Sequence, residues 1–472
     1  KLYLFLLMWF GVLINFNSHY NDIYKFYDIF FSKSGNLSIT VFLNFIRSIS
    51  IYIISIFIIL FFSKSIFHKK NYILNLLFIY FLIQLVAFVL NRDLVEELDQ
   101  VYFWLNYFLI LIFFYAINSI FNKDELRYFF VILMLFVALV VIILLTNMYI
   151  DVIKNKSNSF YYSYFVSPES RLMEQGVPRV TGIARTLLLL IICNSIILLN
   201  CKNKVFSFLI LLFLSGSLFL TQARSSLIAF LLIGLFLCFF DKNYKIYKKL
   251  IVFITLILLC STYQMIFPKL KGALKAYNKF IAKEEIVIDE NKIIPSDKNC
   301  QKKWGFTECE QKIIKQNWED HRNTYGSLEF KVRILEDFSS SGRVNDWKKI
   351  INLSKEKLII GYGFQADRYL IKTSASSSYF YSLISSGILG LFLFSIVVFI
   401  IIFKYIKIVF FEKLFSKKGE VIYKTCFLIN VFIILRTLIE NSFAVYNFDL
   451  ALFLFTFLYL NSHETIIKKN YS

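Results

Sequence analysis

The chain has 472 residues, of which 58% are hydrophobic, 19% aromatic and 18% charged, and its formal net charge is +20. An average soluble domain is about 45–50% apolar and about 25% charged, so this balance excludes a disordered chain and argues against one large soluble core. In a soluble protein such a charge would suggest a nucleic-acid partner; in a membrane protein it is read first as topology, and no nucleic-acid partner is expected.

Apolar runs recur at roughly 2–16, 40–62, 72–90, 101–121, 128–150, 181–200, 205–221, 226–240, 250–267, 379–403, 424–441 and 446–461. Each is near the ~17–25 residues that a helix needs to cross a bilayer. The runs predict an all-α polytopic membrane protein with about 12 transmembrane helices. An even number of spans puts both ends on one side. The loops of that side hold 20 basic and 6 acidic residues, against 8 and 9 in the short loops opposite. That asymmetry makes the basic side cytoplasmic.

Three units follow: spans one to nine over 1–267, a large outer loop over 268–377, and spans ten to twelve with a cytoplasmic tail over 378–472. A loop of that length is either a functional domain or a disordered insert. Val344, Trp347, Ile350, Ile351 and Leu358 recur near helical spacing within Arg343–Leu358, and Gly361 offers a stop. This pattern favours a partly helical domain. Pro168, Pro178, Pro268 and Pro295 all fall in outer loops. With no proline-broken span and no inverted repeat, a transporter is the less favoured class.

Cys193, Cys201, Cys238, Cys260 and Cys426 sit in or beside spans and read as small buried apolar residues. Cys300 and Cys309 are the two cysteines of the outer loop. On this topology they face an oxidising compartment, and a disulfide between them is expected. His19, His68, His321 and His463 have no partner at ligand spacing and no Asp-x-Asp pair occurs. Neither a metal nor another cofactor is called for.

Charges inside spans are costly and mark functional candidates by default. Five stand out: Arg47, Arg185, Arg436, Glu440 and Asp449. Arg436 and Glu440, four apart, are expected to pair on one helix, and Arg47 either serves a site or snorkels to a surface. Arg185 lies near the outer end of span six, after the outer loop that carries Arg171 and Arg179. Arg224 sits in the tight outer turn between spans seven and eight, and Arg343 opens the amphipathic stretch of the large loop. Arginine offers a planar, permanently charged fork for phosphate oxygens, so arginines gathered at one membrane surface suit a lipid-linked pyrophosphate.

Several short motifs lie along this order of elements. They are Arg185-Thr-Leu-Leu-Leu189, Leu220-Thr-Gln-Ala-Arg-Ser-Ser226, Ser341-Gly-Arg343 followed by Trp347, and Gly361-Tyr-Gly363. Ser376-Ser-Ser-Tyr379 follows, with Leu383, Gly387 and Gly390 entering span ten. In these motifs and in its topology the chain resembles the bacterial O-antigen ligase and O-antigen polymerase family of integral membrane glycosyltransferases. The resemblance implies transfer of a glycan from undecaprenyl pyrophosphate to a sugar hydroxyl at the periplasmic face of the inner membrane, inverting and metal-independent. It implies that Arg185 and Arg343 hold the departing pyrophosphate, assisted by Arg224 and Arg179, while Tyr379 and Arg171 contact substrate. The implied partners are the lipid-linked glycan donor, an acceptor that is either a lipid-linked repeat unit or lipid A core, membrane lipid, and a chain-length regulator protein.

One departure bears on the choice within the family. Ligases carry a histidine eleven residues before the first glycine of the span-ten motif, and here that position is Ser376. A serine hydroxyl donates and accepts hydrogen bonds but is a poor base near neutral pH. The sequence therefore leans toward a polysaccharide polymerase, with a ligase or a protein O-oligosaccharyltransferase as the alternative. A polysaccharide or lipid transporter is the reading from another class.

Overall fold

The computed structural model describes residues 71–91, 98–154, 180–200, 204–221, 223–240, 245–262, 343–371, 374–410, 420–442 and 447–471, with Ala444 and a few positions between 52 and 60. It also describes the strands Lys302–Lys303 and Phe306–Thr307. Predicted span one, Arg47, Arg171, Arg179, Cys201, Cys300, Cys309, His19, His68 and His321 lie outside the described residues.

The described helices in chain order are α1 (Tyr72–Leu90), α2 (Leu98–Ile120), α3 (Lys123–Lys154), α4 (Val180–Asn200), α5 (Lys204–Leu220), α6 (Arg224–Phe240) and α7 (246–262). Then come α8 (Arg343–Ser354), α9 (Ala366–Leu370), α10 (Ser378–Phe410), α11 (Val421–Arg436) and α12 (Phe448–Tyr471). Among the described residues four helices are long and apolar enough to cross a membrane: Tyr72–Leu90, Lys123–Ile150, Gly182–Asn200 and Ser378–Phe410. Shorter apolar helices cover Trp104–Ile120, Lys204–Leu220, Ser225–Phe240 and Phe448–Ser462. The chain is an integral membrane protein. The all-α expectation needs one small amendment, a two-stranded antiparallel hairpin that pairs Lys302 with Thr307 and Lys303 with Phe306.

Local chemistry sets several helix starts. Asn71 caps α1, its side-chain oxygen accepting from the Ile73 and Leu74 amides at 3.1 and 3.4 Å, which satisfies two donors that a helix start leaves free. Asn122 and Glu125 bond reciprocally before α3, at 2.8 and 3.1 Å, in the manner of a capping box. Asn447 accepts from the Leu450 amide at 2.9 Å and so starts α12.

The centre of the fold is α12. Leu450 to Leu460 are buried without interruption, as expected for a helix that is apolar all round and surrounded by others. It packs on α11, α3 and α2, while α4 packs on α5, α11, α3 and α6. The buried Asn430 of α11 donates to Thr456 Oγ1 of α12, a polar tie between two otherwise apolar faces.

α10 has 33 residues and is broken near its N-terminal end. At Gly387 the backbone turns to φ 63° and ψ −162°. The segment before α9 fills the break. Tyr362 and Gly363 amides donate to Ile384 and Ser385 carbonyls at 2.9 and 2.8 Å, and the Ile388 and Leu389 amides donate to Leu358 and Ile359 carbonyls at 2.8 and 3.3 Å. Irregular backbone is tolerated in a spanning segment only where protein satisfies its freed polar groups, and this segment does so. The close approach dictates glycine, which alone has no Cβ to collide. A Cβ at Gly387 would lie 2.3 Å from the Ile359 oxygen. One at Gly361, where φ is 79°, would lie 2.6 Å from the Gly387 nitrogen. The Asn91 side chain at the end of α1 donates to the Gly361 carbonyl at 3.1 Å and locks the segment from the other side. The predicted amphipathic helix therefore stops at Ser354 rather than running on to Leu358, because the chain must open to pair with α10.

Candidate functional site where α4, α10, α11 and α12 meet

Asp449 stands in the first turn of α12 and is 2% exposed. Its Oδ1 meets Arg185 Nη1 of α4 at 3.1 Å, and its Oδ2 meets Arg436 Nε of α11, also at 3.1 Å. Ser442 Oγ stands 3.5 Å from the same Oδ2, its hydroxyl donating chiefly to the Ile433 carbonyl at 3.1 Å. The Arg185 guanidinium lies 5.2 Å from the centre of the Phe448 ring. That of Arg436 lies 5.6 Å from the centre of the Phe432 ring, so each cation also faces an aromatic surface. Two permanently charged guanidinium groups thus share one carboxylate, which among the described residues leaves one positive charge in excess at a buried position. The side chains are 12% and 9% exposed, and Arg185 Nε is buried with no hydrogen-bond partner among the described residues. Such a charge is costly unless an anion answers it.

The expected Arg436–Glu440 pair does not form. The Glu440 amide still donates to the Arg436 carbonyl at 2.8 Å, but the side chains part: Arg436 turns to Asp449, and Glu440 turns to Arg343. Predicted span eleven, which extends to residue 441, ends earlier, at Arg436. Arg343, the first residue of α8, places Nη2 3.7 Å from Glu440 Oε1 and donates from Nη1 to the Ile439 carbonyl at 3.2 Å. Both sides of that ion pair are partly exposed, at 33% and 27%. Arg185 and Arg343 are thereby brought to one connection, the segment between α11 and α12, one through Asp449 and the other through Glu440.

Ser376 lies on the loop entering α10 with φ 50°, in the left-handed region. Its Oγ donates to the Ser374 carbonyl at 3.2 Å. The amides on either side of it are held. Ala375 N donates to Asp367 Oδ2 at 2.8 Å, and Ser377 N donates to Asn441 Oδ1 at 3.2 Å. Asn441 Nδ2 completes the clamp by donating to Asp367 Oδ2 at 3.3 Å and to Ser374 Oγ at 3.2 Å. Trp347 of α8 donates from Nε1 to the Ala375 carbonyl at 2.8 Å and stacks on Phe380 at 4.9 Å. The Ser378 amide donates to the Thr437 carbonyl at 2.9 Å, and Ser378 Oγ donates to the Glu440 carbonyl at 3.0 Å. Position 376 is therefore pinned to the same α11–α12 connection that receives both arginines.

Asp367 is 1% exposed and its Oδ1 has no hydrogen-bond partner among the described residues. Burial pushes its carboxyl above the ordinary range, and the hydrogen bond from Ala375 only partly offsets that, because desolvation disfavours the charged form. Sequence reasoning missed Asp367, Asn441, Thr437 and Ser442. The one local signal was the polar run Glu440-Asn441-Ser442 with Asn447, which marks a turn between two apolar helices.

The other expected site residues fall as follows. Arg224 opens α6, and the turn before it is closed by Thr221, whose Oγ1 donates to the Leu218 carbonyl at 2.6 Å and accepts from the Ala223 amide at 3.3 Å. Tyr379 sits in the first turn of α10 with its ring edge-on to Phe394 at 5.5 Å. Among the described residues no group of three or more His, Cys, Asp or Glu side chains converges that could hold a metal.

Residues 209–395 match the family model described as O-antigen ligase. The chain carries an O-antigen ligase family domain. It is thus a membrane glycosyltransferase of the ligase and polymerase type. No curated protein and no solved structure matches it. The O-antigen ligase domain runs from α5 to the middle of α10 and contains Arg224, Arg343, Ser376 and Tyr379. Arg185, Arg436, Glu440, Asn441 and Asp449 lie outside that match, yet Arg343 and the Ser376 loop from within it meet them at the α11–α12 connection.

Proposed function

We propose that this chain is an O-antigen-type polysaccharide polymerase. It joins the glycan carried on undecaprenyl pyrophosphate to a sugar hydroxyl of another lipid-linked repeat unit. The observation that carries the reading is the unbalanced pair Arg185 and Arg436 on the single carboxylate of Asp449. This charge arrangement suits a pyrophosphate at headgroup level, at the outer ends of twelve spans with both termini cytoplasmic. The reaction is a direct displacement with inversion. The acceptor oxygen attacks the anomeric carbon, the bond from that carbon to pyrophosphate oxygen breaks, and the leaving group departs with the electron pair. Negative charge builds on the pyrophosphate in the transition state, where Arg185, with Arg343 at the partly exposed rim, stabilises it. The Ser376 hydroxyl, fixed by its clamped neighbours, accepts from the acceptor hydroxyl and orients it; the good leaving group makes a strong base unnecessary, so the displaced proton passes to water. Arg224 and Arg179 assist at the pyrophosphate, Tyr379 and Arg171 contact the sugars, and a Cys300–Cys309 disulfide staples the outer loop.

A second reading, the ligase that moves finished glycan onto lipid A core, is favoured by the description of the matching family model itself. A gel of surface lipopolysaccharide from a deletion strain separates the two. Loss of a polymerase leaves one repeat unit on the core, loss of a ligase leaves bare core, and an unchanged ladder contradicts both.

A further inference from the structure

The stretch that enters the break in α10 has a second face, and it is apolar. α8 packs on α10 through Ile350, which is buried, and Trp347, which stacks on Phe380. Val344 and Ile351, seven residues apart, lie beside that packed face and are exposed. Leu358 and Ile359 continue the apolar flank beyond the helix end, Ile359 with 65% of its surface open. Lys348 and Lys355, both exposed, border it; Lys348 stands about 40° from Val344 around the helix. The flank runs into the surface of α10. The Leu358 and Ile359 carbonyls accept from the Ile388 and Leu389 amides, and Ile388, Leu389 and Phe392 are themselves exposed on a helix long and apolar enough to cross a membrane. From Ile388 to Phe410 that helix rises about 33 Å, against about 30 Å of hydrocarbon core, so the break at Gly387 falls at the membrane boundary. The inserted segment can lie at that depth because α10 satisfies the Leu358 and Ile359 carbonyls and the Tyr362 and Gly363 amides.

We propose that Val344, Ile351, Leu358 and Ile359 dip into the bilayer at the boundary between headgroups and acyl chains, so that this part of the long loop is an interfacial anchor. Interfacial helices place an apolar face at that depth, and lysines at the edge of the face bury their stems and keep their ammonium groups among the headgroups. Lys348 is free to do so, and Lys355 retains donors beyond the one it gives to Asn352 Oδ1 at 3.3 Å. Continuity with the exposed face of a spanning helix selects lipid as the occupant over a second copy of the chain. Arg343, the first residue of α8, is thereby held at headgroup level. The proposal is independent of the glycosyl-transfer reading, since its readout is contact with lipid and not activity.

The test uses the full-length protein in nanodiscs of phosphatidylethanolamine and phosphatidylglycerol, doped with a phospholipid that carries a diazirine near the glycerol end of one acyl chain. After illumination, peptide mass spectrometry maps the carbene adducts. We expect adducts on Ile351, Leu358 and Ile359 at a yield within about threefold of that on Phe392, the reference on α10. Asn345 and Lys349, exposed on the far side of α8, should carry at least about tenfold fewer. Ile351→Asp combined with Ile359→Asp, both at exposed positions, should leave the melting temperature in detergent unchanged. That variant should lower the adducts on this stretch about tenfold while Phe392 keeps its own. Adducts on Phe392 with none between 344 and 359 would overturn the proposal. So would equal labelling of the flank and of Asn345 and Lys349, or an unchanged yield in the double variant. Cross-links between two copies through Ile359 in place of lipid adducts would overturn it in favour of self-association.

Discussion

Arg185 and Asp449 are 264 positions apart in sequence and meet at 3.1 Å in a buried ion pair. Their contact joins α4 to α12, and Arg436 binds the same carboxylate from α11. The arrangement stands at the end of the bundle where α10 and α8 also arrive. Asp449 therefore has a structural task that Arg185 does not share. Removing the carboxylate leaves two buried guanidinium groups facing each other, whereas removing Arg185 leaves a neutral Arg436–Asp449 pair.

The first prediction follows from that asymmetry. Asp449→Ala should destabilise the protein by about 3–5 kcal/mol, the range for an uncompensated buried charge, with a matching loss of membrane-inserted protein. Adding Arg436→Met to Asp449→Ala should restore part of the stability by removing one of the stranded charges. Thermal melts of detergent-solubilised protein measure both, and a double variant no more stable than the single would contradict the charge account.

Asp367 gives a prediction in pH. Its carboxyl is raised above its unfolded value by burial. The stabilisation it offers is therefore fully present below the ordinary carboxylate pKa and is lost as pH climbs through the raised value. Asparagine has the same shape and does not ionise. Asp367→Asn should gain stability relative to wild type as pH rises across roughly 4 to 8. Parallel melting curves would show that the carboxyl is not desolvated. Asp367→Ala strands the Ala375 amide and should cost about 1–3 kcal/mol at the acid end of that range, with the cost shrinking as pH rises.

The break in α10 is the third point of test. Gly387→Ala puts a side chain on a left-handed residue, at roughly 1–3 kcal/mol for the dihedral alone. It also drives a Cβ to within 2.3 Å of the Ile359 oxygen. The variant should melt lower and expose the 355–365 segment to limited proteolysis. A wild-type melting temperature would mean that the N-terminal end of α10 is not built on this pairing.

Much of the fold is legible in the sequence because a lipid-spanning helix must advertise itself. The run 72–90 is α1 as predicted, and 181–200 is α4 to within one residue. What stays hidden is set by contacts between distant segments. The apolar pattern continues past the end of α11 through Thr437, Leu438 and Ile439, so the predicted span overshoots; the helix stops where Arg436 turns to Asp449. The kink at Gly387 carries no proline and becomes readable only once Leu358–Gly363 is seen to fill it. Arg185, Arg343, Asp449 and Glu440 are all visible as charges, but which of them pair is not. Asp367 is one carboxylate in a long loop, and nothing in its local sequence shows that it reaches Ala375 and Asn441.

Ser376 separates orientation from base catalysis. Its neighbours are held by Asp367, Asn441 and Trp347, so the backbone survives loss of the hydroxyl. Ser376→Ala should lower glycan assembly by about tenfold or less, the scale of one lost neutral hydrogen bond. Complete inactivity at normal abundance would assign that hydroxyl a larger part than orientation.

The most direct test is glycan assembly in a deletion strain complemented with Arg185→Ala or Arg343→Ala at matched protein levels, read as the lipopolysaccharide ladder. Losing one preorganised donor to a developing negative charge costs about 10²–10³ in rate. Each variant is expected to fold, to reach the membrane, and to lose the ladder. An intact ladder from either variant would contradict the assignment of the arginine cluster to the departing pyrophosphate.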